Sequence, residues 1–303
     1  LNKKKLYIFN MISVGILSYN SPLTLKNTLM SYKHYGLLEY SDDVFCVLQP
    51  SSKINEEMSI CDIFGIRYYL QESNDMMLGG MKRVFKEAKN EFVLWTENDF
   101  RIHTVKKKVK KIIEDSEKLI KNNVVGLVKI RSLKLPGHPI SVKEKYYNKM
   151  SDTSKLDYSL YYDENPHVKF SDNIQKYSND PIMYIMNSKY CGYSNNCFIT
   201  SKKFFNDIIL NFSKGDPHIE PDIDKIWSNL NISIGISEGF LTHVRLDGHN
   251  SCWCCHTDFG GVSNEPKCTC CISEYKNNID FIIDENGNDV SNFQSGSEWI
   301  KFI

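Results

Sequence analysis

Five short apolar runs, at residues 12–17, 44–48, 66–70, 91–96 and 124–130, restrict the fold of this chain more than any other feature of its sequence. Helical stretches lie between several of them. Ser21 precedes Pro22, a good N-cap before a proline at the first helical position, and predicts a helix over 22–34. Met81, Val84, Phe85 and Ala88 share one helical face, as do Val105, Val109, Ile112, Ile113, Leu119 and Ile120 farther on. The lysines between 106 and 111 occupy the other faces of that second helix and read as solvated surface. Continuous apolar strands joined through helices are the pattern of a sheet covered on both sides. The expected class is α/β, an open, mostly parallel twisted sheet flanked by helices.

A hydrophobic fraction of 41% supplies a core and excludes a disordered chain. Lys+Arg and Asp+Glu both number 37, so no overall positive field exists to hold a nucleic acid. No apolar run approaches the roughly 20 residues that cross a bilayer, so no membrane segment is expected. Cys46, Cys61, Cys191 and Cys197 are dispersed, as thiols of a reducing compartment are, and with no signal peptide read a cytoplasmic location is expected.

Beyond residue 131 periodicity weakens and tyrosines gather, among them Tyr147, Tyr158, Tyr161, Tyr162, Tyr184 and Tyr193, which reads as a functional insertion. Strands are predicted again at 196–200 and 232–236, and helices at 202–210 and 222–230. Past 247 the composition turns to Cys, Gly, Asn and Ser, which divides the chain into residues 1–246 and a Cys-rich appendage at 247–303.

Open α/β sheets bind ligands beyond the carboxyl ends of their strands. Ser18-Tyr19-Asn20 follows the first run and leads into a helix N-terminus suited to a polar or anionic ligand; plain turn chemistry accounts for Asn20 equally well. Glu97-Asn98-Asp99 closes the fourth run with two carboxylates one residue apart, a spacing that lets both approach a hard cation such as Mg²⁺ or Mn²⁺.

These segments carry a resemblance. Ile12-Ser13-Val14-Gly15-Ile16-Leu17-Ser18-Tyr19-Asn20-Ser21-Pro22 resembles the first strand and turn of GT-A fold, nucleotide-sugar-dependent glycosyltransferases of the inverting, family-two type. Gly79-Gly80 through Glu97-Asn98-Asp99 is similar to the helix, strand and DxD-type motif of that family. The resemblance implies a donor site at Ser18, Tyr19, Asn20, Arg83 and Asn98, and a metal held by Glu97, Asp99 and His243, the last in Gly239-Phe240-Leu241-Thr242-His243. It implies a catalytic base in Glu220-Pro221-Asp222, with Asp222 first and Glu220 second. The chain departs from the family pattern where Glu97 replaces the first acid and Pro221-Asp222 the Glu-Asp pair. Implied partners are a nucleotide-sugar donor, most simply a UDP-sugar, and an acceptor hydroxyl on a glycan or glycoprotein. The opposing reading is a non-catalytic binding or assembly protein on a degenerate transferase scaffold. Gly79-Gly80 lacks the G-x-G-x-x-G fingerprint of a dehydrogenase.

Cys252, Cys254, Cys255 and His256 form one thiol-rich clip, and Cys268, Cys270 and Cys271 another. Such density predicts a crosslink, either structural Zn²⁺ or disulfides. The adjacent pairs fit no standard finger spacing.

Overall fold

In the computed structural model, the first apolar run forms β1 (Ser13–Ser18), buried at every position. The structure describes residues 12–137, 140, 144–213, 215 and 218–244; the Cys-rich clips and the boundary at 246/247 lie outside them. Pro22–His34 is α1, Leu37–Tyr40 α2 and Ile54–Phe64 α3. Met76–Glu87 is α4 and Lys106–Lys121 α5. The strands that follow β1 are β2 (Asp43–Leu48), β3 (Arg67–Leu70), β4 (Phe92–Glu97), β5 (Phe100–Ile102) and β6 (Leu127–Arg131). After them come α6 (Asp152–Tyr162), α7 (Pro166–Lys169) and the hairpin β7 (Ile174–Asn179) with β8 (Ile182–Asn187). The chain continues through β9 (Phe198–Ser201), α8 (Lys202–Phe204) running into a π-helical turn, α9 (Glu220–Trp227) and β10 (Ser233–His243).

The sheet order is β3-β2-β1-β4-β9-β6-β10-β8-β7, with β5 paired to β10. Strands β3, β2, β1 and β4 are mutually parallel. β9 runs antiparallel to both β4 and β6, and β6 is parallel to β10. The chain moves from β1 outward to β2 and β3, then returns to β4 on the other side of β1. That reversal opens a crevice at the carboxyl ends of β1 and β4, where open α/β sheets take their ligands.

Alternation along the strands divides two apolar layers. Val14 and Ile16 of β1 and Cys46 of β2 join Leu25 and Leu29 of α1, Ile60 of α3 and Ile112 of α5 on one face. Leu17, Phe45 and Trp95 join Met81 and Val84 of α4, Leu160 of α6 and Trp227 of α9 on the other. Helix α4 packs so closely on β1 that a Cβ at Gly80 would stand 2.5 Å from Leu17 Cδ1, and one at Gly15 would stand 2.3 Å from Val84 Cγ1. The glycine pair therefore sits inside α4, which starts five residues earlier than the spacing predicted.

Two features aim the end of β10. Its register on β6 shifts between Ile236 and Leu241, and Gly239 within that bulge has φ +69°, with Arg131 O 2.2 Å from where a Cβ would stand. Beyond the bulge, Leu241, Thr242 and His243 pair antiparallel with Ile102, Arg101 and Phe100. β5 follows directly after Asp99, so this pairing carries His243 to the end of β4.

The tyrosine-rich stretch is structured. Ser151 caps α6 by accepting the Ser154 amide, and Tyr147, Tyr184 and Tyr193 are buried. The side chains of Tyr158, Tyr161 and Tyr162 group on α6, with Tyr158 and Tyr162 stacked at 5.9 Å. Among the described residues no helix is long and apolar enough to cross a membrane.

Candidate active site

The turn after β1 is held from inside. Ser18 Oγ donates to Glu57 Oε1 at 2.6 Å, and the Ser21 amide donates to the same oxygen at 3.1 Å. Asn98 Nδ2 donates to Ser18 Oγ at 2.8 Å, while its carbonyl accepts Thr28 Oγ1 at 2.6 Å and its amide bonds Leu17 O. Glu57 is fully buried on α3, Ser18 1% exposed and Asn98 6%. Two residues expected to touch a donor, Ser18 and Asn98, are therefore committed to each other and to a buried carboxylate. Their role is to fasten the ends of β1 and β4 together. Glu57, which fixes this turn, carries no local signal in sequence: it lies on a helix 39 residues from Ser18.

Tyr19 stands 41% exposed at the same turn, and Asn20 takes a left-handed φ of 52° while its Oδ1 accepts Ser52 Oγ. Asn20 thus follows the turn reading, and Tyr19 remains the side chain of this segment open to a ligand. The Arg83 guanidinium, expected beside the donor, pairs with Glu87 one turn onward at 3.2 Å and lies over the Tyr69 ring at 5.4 Å.

Asp99 and His243 come together. Asp99 is 1% exposed and its Oδ2 lies 3.1 Å from His243 Nε2; the imidazole meets the Phe100 ring edge-on at 5.2 Å. Gly137 (φ +67°) backs this pair, since a Cβ there would stand 2.2 Å from His243 O. Two donors on neighbouring vertices of an octahedron with bonds of about 2.1 Å are separated by about 3 Å, the spacing found here. A carboxylate oxygen and an imidazole nitrogen also suit Mg²⁺ or Mn²⁺ in type. Glu97, expected as a further ligand, does not join them: among the described residues no group of three or more His, Cys, Asp or Glu side chains is arranged to hold a metal. Remaining positions would fall to water and ligand oxygens, as is usual for Mg²⁺.

Asn195 ties the other side of the site to β4. Trp95 Nε1 donates to its carbonyl at 2.8 Å, its Nδ2 donates to His218 O at 2.7 Å, and its amide donates to Glu220 Oε1 at 2.6 Å. Burial, with Asp224 adding to it, raises the Glu220 pKa against the opposing Asn195 amide. Asp222 lies two residues on, its side chain 10% exposed and 3.8 Å from Lys225 Nζ. Both acids open α9 directly after Ile219, which adopts φ 62°, a costly conformation for a β-branched residue. Neither Asn195 nor its bonds are signalled by periodicity. The buried Arg131 completes the surroundings: its Nε donates to Pro136 O and its Nη1 to Asn196 Oδ1 at 3.0 Å, and its pKa, lowered chiefly by burial, is partly restored by Tyr161 and Asp99.

No protein-family model matches the chain, and no curated protein matches it in sequence. Among solved structures it is similar to Staphylococcus aureus TarS 1-349, with TM-score 0.48 and 15% identity over 77% of this chain and 60% of that one. The same fragment in complex with UDP gives TM-score 0.47 at 14% identity. Glucosyl-3-phosphoglycerate synthase from Mycobacterium tuberculosis, in complex with Mn²⁺, UDP-glucose and phosphoglyceric acid, gives TM-score 0.44 and 14% identity, covering 78% of this chain and 73% of that one. The chain spans about 60% of the length of the TarS fragment. At these scores the likeness says nothing of activity, which the chain's own residues must carry.

Proposed function

We propose that the chain is a metal-dependent glycosyltransferase that moves a sugar from a nucleoside-diphosphate sugar, most simply a UDP-sugar, to an acceptor hydroxyl on a glycan or protein. The observation that carries this reading is the buried Asp99 carboxylate, 3.1 Å from His243 Nε2, at the crevice where the sheet order reverses between β1 and β4. Asp99 and His243 would hold a divalent cation there, and such an ion supplies charge neutralisation for a departing diphosphate. The chain's part is positional. The Ser18, Glu57 and Asn98 bonds hold the two strand ends at fixed separation, and Tyr19 presents a flat aromatic face beside them for a donor base. Glu220, whose carboxylate accepts the Asn195 amide, positions the start of α9. Asp222 takes the proton of the acceptor hydroxyl, as a base within hydrogen-bond reach of an attacking oxygen must.

The test is a screen of nucleotide sugars with Mn²⁺ scored by released diphosphate, repeated on Asp99→Ala. Turnover of at least one donor in the native chain and its loss in the variant support the reading. Absence of turnover together with absence of any donor-induced rise in melting temperature refutes it. One observation favours the degenerate-scaffold alternative: His243 Nδ1 is buried without a hydrogen-bond partner, whereas a ligating histidine ordinarily has its second nitrogen fixed by a carbonyl or carboxylate. That reading predicts a donor-induced rise in melting temperature without turnover in the same screen.

A further inference from the structure

The ribbon made by β5 and the end of β10 has a second face. Phe100 and Ile102 lie opposite His243 and Leu241, so Arg101, paired with Thr242, and His103 belong to the other side. All three are nearly closed to solvent, Arg101 at 5% exposure, His103 at 7% and Thr242 at 3%. Both ring nitrogens of His103 and the Thr242 hydroxyl are buried without a hydrogen-bond partner. Three unsatisfied polar atoms on one small face are costly unless a ligand or water answers them.

The surroundings are positive. Helix α5 begins at Lys106 with no side-chain cap, and its first turn carries Lys106, Lys107 and Lys108 with no acid among them. Cations there oppose the helix dipole. Lys106 pairs with Glu39, and Lys108 with Glu238 of β10 at 2.6 Å. Burial first, then the charge of Arg101, with smaller pushes from Lys108 and the exposed Lys134, lowers the His103 pKa to about 4. The histidine therefore feels three cations from three different elements.

We propose that this face, with Arg101, His103, Thr242, Lys108 and Lys134 around the first turn of α5, is a binding site for a phosphate-type oxyanion. Several N–H and O–H donors that converge from strand, helix and loop suit a tetrahedral group with acceptor oxygens on every side. The site lies on the opposite face of the ribbon from His243, and its occupation requires neither donor nor metal. The ligand is inorganic phosphate or the phosphoryl group of a larger molecule, which share this chemistry.

Isothermal titration of the metal-free chain with inorganic phosphate, and separately with methyl phosphate, tests the assignment. One site is expected, and the tighter of the two probes identifies whether the free ion or a monoester is the natural occupant. His103→Leu should weaken binding about tenfold or more, and Lys134→Ala, which removes only an exposed loop cation, about three-fold; Lys118→Ala, at the far end of α5, should leave it unchanged. Should His103→Leu fail to fold, Lys134→Ala decides. No heat with either probe, or equal affinity in the native chain, His103→Leu and Lys134→Ala, would overturn the proposal and leave weak screening by surface lysines.

Discussion

Glu57 is the residue on which the crevice depends most directly, and its removal gives a calculable result. Its carboxylate accepts Ser18 Oγ at 2.6 Å and the Ser21 amide at 3.1 Å while fully buried. Hydrogen bonds to a charged group contribute about 1.5–3 kcal/mol each. Glu57→Ala deletes the acceptor, leaves the Ser21 amide without it, and adds a small cavity, for a loss of about 4 kcal/mol. Glu57→Gln keeps the shape and one acceptor oxygen, so about 1–2 kcal/mol should go. For a domain of this size about 4 kcal/mol corresponds to a fall of roughly 8–16 °C in Tm. Urea denaturation followed by far-ultraviolet circular dichroism measures the loss, with the exposed neighbour Glu56→Ala as a control expected within about 0.5 kcal/mol of native. A cycle with Ser18→Ala should show coupling of about 1 kcal/mol or more, because the two side chains share one bond. A Glu57→Ala loss below about 1 kcal/mol, or strict additivity with Ser18→Ala, would refute the reasoning.

Other consequences follow from the same structure. Burial, and secondarily Glu114, raises the Glu117 pKa from 4.5 to about 7. The folded state therefore holds this proton longer than the unfolded chain, so its effect is absent below pH 4.5 and stability falls as pH rises from there through about 7. Glu117→Gln should flatten that slope and gain about 2 kcal/mol at pH 8, measured by urea midpoints across the range; an unchanged slope contradicts it. Gly137→Ala would force a Cβ against His243 O and a methyl group onto φ +67°, so it should cost about 2–3 kcal/mol and lower Mn²⁺-dependent turnover more than ten-fold; native-like kinetics would show that His243 need not be held there. Asp222→Asn should lower kcat by about 10²–10⁴, whereas Glu220→Gln should keep a measurable rate with a changed KM, and the reverse pattern would exchange their roles.

Much of the parallel half was written locally. The apolar run at β1 and Pro22 at the start of α1 placed both elements within a residue, because burial and the fixed φ of proline act over a few positions; Ser21 makes no side-chain cap, its hydroxyl donating to Tyr19 O instead. Gly79 and Gly80 mislead: a glycine pair ordinarily breaks a helix, yet here Gly80 lets α4 approach Leu17 and Gly79 leaves room for the Asp75 side chain. The later strands were harder. β10 runs to His243, but the bulge around Gly239 interrupts its pattern, so periodicity marks only residues 232–236 and the stretch 239–243 reads as strand through the family resemblance alone. Helix α3 and the hairpin of β7 and β8 have no counterpart among the elements the sequence predicts, and Glu57 lies on α3. The candidate site divides in the same way. Asp99 and His243 are 144 residues apart and were connected through family resemblance, not spacing. Ser18 and Asn98 show why a strand-end polar residue is ambiguous: each has the right type, and tertiary partners that no local pattern encodes have claimed it.

The central claim is that Asp99, with His243, grips a divalent ion that in turn holds a nucleoside diphosphate. Calorimetric titration of UDP with and without Mn²⁺, on the native chain and on Asp99→Asn, measures this directly. UDP binding should require Mn²⁺ and weaken by about 100-fold or more in Asp99→Asn, near 3 kcal/mol. Equal affinity in the two proteins, or binding indifferent to Mn²⁺, would contradict it.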